Sequence, residues 1–160
     1  MVRRNQADLD AETLSRIAEA EQEVHSFSYA KPDKVGSGKA IVRLGKGGRV
    51  RGLVQLVRDG GENNLHYHTD SDSLWYVLKG RVRFYGAGDK VLGEFGPNQG
   101  IITPSYFRYW FERVGDEDLE LLQVGALSAP DVESSGRTDL EPQKTKLAEH
   151  ARYSAAADAK

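Results

Sequence analysis

Cysteine is absent from this 160-residue chain, which excludes disulfide staples, thiolate metal sites and cysteine nucleophiles. The absence fits a reducing compartment. Long apolar runs are missing as well, and nothing approaches the ~18 residues that a membrane-spanning helix needs. The first residues, MVRRNQADLD, carry charge where a secretory leader has an apolar segment. A soluble, cytoplasmic protein is the expectation from these two features. Charge of one sign is also scarce. With 22 Lys plus Arg against 24 Asp plus Glu, the net charge is −2. That balance offers no general footprint for nucleic acid or an anionic membrane, so neither is expected as a partner.

What is present is ordinary for one folded domain: 39% hydrophobic and 29% charged residues in a length that buries a core unaided. Residues Asp10 to about Val24 read as an amphipathic helix, capped by Asp10, with Leu14, Ile17 and Val24 on one face. From Lys39 to Leu127 the character changes. Short β-branched and aromatic runs (KAIVRL, VRGLVQLV, NLHYH, SLWYVL, RVRFYG, KVLGEF, GIITP, FRYWFERV, DLELLQVGAL) are separated by Gly and Asp turns. Short strands without intervening helices predict an antiparallel sandwich or barrel. After Leu127 the sequence turns polar and irregular, and LAEHARYSAAADAK reads as a weak helix or disorder. The expected organisation is a helical arm at 1–38, an all-β barrel at 39–127 and a polar tail at 128–160.

Chemistry concentrates between Gly60 and Gly86, in GGENNLHYHTDSDSLWYVLKGRVRFYG. Alternate side chains of a strand share a face, so His66 and His68 lie together, opposite Leu65 and Tyr67. Two imidazoles so placed suit one Fe, Zn, Ni, Cu or Mn ion. The plain alternative is a pair of polar residues on an exposed sheet face. Trp75, Phe107, Trp110 and Phe111 read as core or cavity wall. Arg43, Arg49, Arg51 and Arg58, like Arg81, Arg83 and Arg108, read as solvated strand faces. The alternative for them is an anion clamp at the barrel mouth.

Gly60, then His66 and His68 after five residues, then Gly80 and the texture of YVLKGRVRFYG together resemble the first motif of the cupin superfamily. A degraded second motif follows, with Pro104, Tyr106 in place of its Gly and Tyr109 in place of its His. The resemblance covers about 39–127. It implies a small RmlC-like double-stranded β-helix (a jelly roll), a homodimer, and a metal centre of three His and one Glu. The motif's Glu position is Ser73 here, and its last His position is Tyr109. Three readings of His66 and His68 stay open. They hold a divalent metal weakly, with Tyr109, Glu62, Asp72, water, or His25 or His150 folding in to complete the shell. They act directly with Tyr109 as acid, base and hydrogen-bonding groups. Or they line a pocket without catalysis. The expected function is a cupin-type enzyme acting on a small carbohydrate-like or carboxylate-like substrate. Its chemistry would be proton transfer of the isomerase, epimerase, lyase or cyclase kind, with or without a metal. The alternatives are a metal-dependent oxygenase and a non-catalytic binding cupin.

Overall fold

The computed structural model describes residues 5–33, 38–144 and 151–155. Its strands are β1 (Lys39–Gly47), β2 (Val50–Val57), β3 (His66–His68), β4 (Ser71–Lys79), β5 (Val82–Gly86), β6 (Val91–Phe95), β7 (Gly100–Thr103), β8 (Tyr109–Arg113), β9 (Leu119–Leu127), β10 (Arg137–Asp139) and β11 (Ala151–Ser154). They form a six-stranded sheet, β11-β1-β2-β9-β4-β7, facing a five-stranded one, β10-β3-β8-β5-β6. Each of the nine runs singled out in the sequence supplies a strand. Pairing is antiparallel throughout, except that β11 joins β1 in parallel.

Alternation explains the core. Val57, Trp75, Val77, Leu119 and Leu121 point inward from the larger sheet to meet Val82, Phe84, Tyr109 and Phe111 from the smaller. The Trp75 ring sits 5.5–5.8 Å from Phe111, Phe84 and Tyr109, in tilted and edge-on contacts. A second cluster on the outer face of the larger sheet packs Val42, Leu44, Val54 and Leu56 under Tyr29, Tyr153 and Ala155. Gly80 makes the β4–β5 turn at φ 77°, where a Cβ would stand 2.7 Å from the Asp118 carbonyl oxygen. Only glycine fits there.

Helix α1 (Ala11–Gln22) forms where the periodicity predicts it, with the Asp10 carboxylate accepting from the Thr13 N–H at 2.7 Å. It buries no residue, and Leu14 and Ile17 remain 48% and 38% exposed. No described helix is long and apolar enough to cross a membrane. The stretch after Leu127 is a correction to the sequence reading. RTD pairs with β3 as β10, and ARYS pairs with β1 as β11, so each sheet gains an edge strand from it. Neither helix nor disorder describes 151–154. The physical reason is that an open sheet edge offers backbone donors and acceptors that any short extended segment satisfies, whatever its side chains. His150 lies outside the described residues.

Candidate active site

His66 and His68 point into the barrel together, 1% and 8% exposed. Strand register assembles their neighbours. His66 stands opposite Tyr109 on β8 and Asp139 on β10, and His68 stands opposite Arg137. Directly opposed residues share a face. The two imidazole centroids are 5.1 Å apart and edge-on, and the Tyr109 ring is 4.5 Å from His66 and 6.3 Å from His68. The larger sheet contributes a buried polar row by the same parity as Val57 and Trp75. In it Gln55 Nε2 donates to Gln123 Oε1 (2.9 Å), Gln123 Nε2 to Ser73 Oγ (3.2 Å) and Trp75 Nε1 to Thr103 Oγ1 (3.1 Å).

Both rings are held from behind. His66 Nδ1–H donates to the Asn64 carbonyl at 2.7 Å, which leaves Nε2 with the lone pair. His68 Nδ1 bonds Ser135 Oγ at 2.8 Å. Burial, reinforced by the Arg137 guanidinium, pushes His66 down to about 3. Burial, Arg137 and Arg51 push His68 down to about 4. Both are neutral imidazoles at pH 7. Burial raises the Tyr109 phenol above its ordinary value, against smaller opposing effects of Arg137 and Thr103, so it stays protonated.

A phenol buried beside two imidazoles is expected to hydrogen-bond one of them. It does not. Tyr109 packs its ring against His66, because the two residues stand directly opposite in the ladder, and among the described residues the buried Oη has no hydrogen-bond partner in good geometry. The aromatic assignments divide. Trp75 and Phe111 are core, but Phe107 is exposed ahead of β8, and Trp110 faces outward, stacked on Tyr85 at 4.1 Å.

The donor set does not fit a tightly held divalent metal. Ser73 and Tyr109 replace two of the ligands that the resemblance implies. Asp72 is turned away, accepting from the Ser105 N–H at 2.7 Å. His25 lines a groove outside the barrel. Glu62 acts on the Lys39 ammonium. The carboxylate opposite His66, Asp139, is forked by Arg137 at 3.0 and 2.5 Å. Among the described residues no three His, Asp or Glu side chains are grouped to hold an ion. Arg137 acts on both imidazoles against a positive charge, and Asp139, paired with it, offsets that only in part.

Several arginines prove structural. Arg58 grips Asp118, which Lys31 also pairs, while Arg81 and Arg83 share Glu94. Arg49 and Arg108 are exposed. Arg51 differs: it is half-buried, close enough to depress His68, and its charged neighbour is another cation, Arg43.

Sequence reasoning missed Ser135, Arg137 and Asp139 because they lie in the polar stretch after the barrel. The one signal there was Gly136. It sits at φ 63°, where any Cβ would collide with Thr69 Oγ1 and Asp70 Oδ2. Backbone bonds from Thr69 N to the Gly136 carbonyl (3.2 Å) and from Asp70 N to the Ser135 carbonyl (3.1 Å) seat the segment over His68. Ser135→Ala, which leaves His68 Nδ1 without its partner, is expected to cost about 0.5–1.5 kcal/mol in urea unfolding. A null effect would mean that water replaces the hydroxyl.

No protein-family profile and no curated protein sequence matches the chain. Solved structures do. An uncharacterised conserved Klebsiella pneumoniae protein with a double-stranded β-helix domain aligns over 84% of this chain and 98% of its own, at 18% identity and TM-score 0.57. An RmlC-like cupin from Desulfovibrio desulfuricans aligns over 64% and 97%, at 19% identity and TM-score 0.53. An oxalate decarboxylase aligns over 69% of this chain but 30% of its own, at 15% identity and TM-score 0.52. Two facing sheets wound in this order form a double-stranded β-helix. The fold is that of the cupin superfamily.

Proposed function

We propose that the protein binds a small carboxylate beside His66 and His68 and catalyses a proton transfer on it. The observation that carries this reading is the site's frame: two imidazoles 1% and 8% exposed, both in the field of Arg137 and His68 also in that of Arg51. Its one opposed carboxylate is already taken by Arg137. Such a frame repels metal ions and attracts anions. Arg137 and Arg51 would hold the carboxylate by charge-assisted hydrogen bonds. The bound negative charge raises the imidazole pKa values from about 3 and 4 toward neutrality. A histidine Nε2 then accepts a substrate proton, and Tyr109 acts as the acid. Isomerisation, epimerisation, cyclisation and lyase chemistry all begin with that step. The oxalate decarboxylase among the similar structures is named for a carboxylate substrate, which supports the class and not the particular reaction.

The test is hydrogen exchange. A panel of small keto and hydroxy acids in heavy water should include one whose carbon-bound proton exchanges with the enzyme, read by proton NMR. Arg137→Gln should slow it at least tenfold. Tight binding without exchange would reduce the protein to a non-catalytic carboxylate-binding cupin. For metals we propose weak, substoichiometric binding, rising in Ser73→Glu, which restores the motif's carboxylate. A full-occupancy ion that survives chelator dialysis would overturn it.

For assembly we propose a homodimer. An apolar groove of about 500 Å³ on the outer face of the larger sheet, with Phe27, Val50 and Leu78 exposed along it, is left open by the described residues, as is the α1 stripe. The basic β1–β2 turn, with Lys46 and Arg49, complements the acidic helix. Light scattering should give twice the chain mass, falling to the monomer when residues 1–24 are deleted. A full-length monomer contradicts the pairing.

A further inference from the structure

Lys39, at the start of β1, lies inside the barrel. It stands opposite Val57 in the β1–β2 ladder and so shares the inward face of that core valine. It is only 6% exposed. Its Nζ sits 5.0 Å from the centroid of Phe111, two residues along β8 from Tyr109. Among the described residues no carboxylate or carbonyl oxygen pairs with it. Burying an ammonium with no carboxylate in direct contact is unfavourable, and a methionine of similar length would avoid that cost. The charged groups that act on it are Arg137 on β10, which opposes its charge, and Glu62 in the β2–β3 connection, which supports it. Burial dominates and brings the amine from 10.5 down to about 7. A large share of it carries a free lone pair at neutral pH, unlike a surface lysine.

We propose that Lys39 is a nucleophilic amine that condenses with the carbonyl group of a small keto acid or aldehyde acid admitted to the barrel. The Nζ lone pair attacks the carbonyl carbon, the carbonyl π pair moves to oxygen, and both amine protons leave with that oxygen as water, giving an imine. Once protonated, the imine withdraws electrons from the adjacent carbon and acidifies its C–H bond, so that the proton can pass to a base. The acid half of the substrate class rests on the carboxylate reading above. The reactivity of the amine does not.

Reductive trapping separates the two. The full chain is incubated at pH 7.5 with glyoxylate, or with uncharged acetaldehyde, plus cyanoborohydride, and peptides are mapped by mass spectrometry. One adduct per chain on Lys39 is expected, forming roughly tenfold or more faster than on exposed Lys46, Lys79 and Lys90, because a larger fraction of Lys39 is unprotonated. Glyoxylate outpacing acetaldehyde at Lys39 supports both readings. Equal rates support Lys39 as the nucleophile and count against carboxylate recognition. Lys39→Met, which removes the buried charge and should melt no lower than the parent, must lose that adduct. Adducts confined to surface lysines, with Lys39 unmodified by either reagent, would overturn the proposal.

Discussion

Lowering the pH from 6.5 to 4 is expected to destabilise the fold by about 4 kcal/mol, with His66 the largest contributor. In the unfolded chain both site histidines protonate near 6.5, whereas in the fold they remain neutral down to about 3 and 4. Across that window the unfolded state binds more protons, so stability rises with pH and is lost in acid. A fully buried histidine contributes a slope of about 1.4 kcal/mol per pH unit. His68, 8% exposed and lowered only to about 4, contributes less. Carboxylates with lowered values, such as Asp118 and Asp139, add their own loss only as the pH falls through the range below 4. Urea unfolding at half-unit pH steps reads the slope. His66→Asn should lose most of it, whatever its own stability at pH 7. A parent protein equally stable at pH 6.5 and 4.5 would mean that the imidazoles are not buried neutral groups.

Tyr109→Phe is expected to separate stability from activity. The phenol is 1% exposed and its hydroxyl has no partner in good geometry among the described residues, so the fold bears the desolvation of a polar atom without return. Removing that atom while keeping the ring leaves the packing against His66 and Trp75 intact. The variant should be as stable as the parent or more so, by about 1 kcal/mol. Enzyme-dependent proton exchange on the carboxylate substrate should fall by about 10²–10⁴-fold, the usual loss when a general acid or base is deleted. Unchanged exchange would leave the hydroxyl without a role and confine the chemistry to the histidines. Lost stability would show a hydrogen bond, direct or through water, that the fold depends on.

Much of the barrel and its inward histidine pair was legible because both follow from period-two alternation, which a sequence displays directly. Gly60 and Gly80 fixed the frame around His66 and His68. Alternation failed where the chain leaves the extended state. Tyr106, at φ 62°, and the turn closed by Phe107 N and the Pro104 carbonyl break the parity before β8, so Phe107 does not follow Tyr109 inward. The edge strands were illegible for another reason. RTD and ARYS are too short to show a pattern, and their pairing uses backbone groups common to every residue. With β10 unseen, Arg137 and Asp139 were unseen too, and with them the charge balance that argues against a metal. Lys39 could be read only as the first residue of a strand. That its ammonium is enclosed depends on how the two sheets pack.

The measurement that bears most directly on the carboxylate site is a calorimetric titration of chelator-treated protein with the small acid that exchanges, run in buffers of different ionisation enthalpy. Saturable one-site binding with net proton uptake, tighter at pH 6 than at pH 8 and weakened in Arg137→Gln, is the predicted result, because an anion beside His66 and His68 draws a fraction of a proton onto one imidazole and leaves the other as the neutral base. Binding that is restored only by a divalent ion, or that takes up no proton, would contradict it.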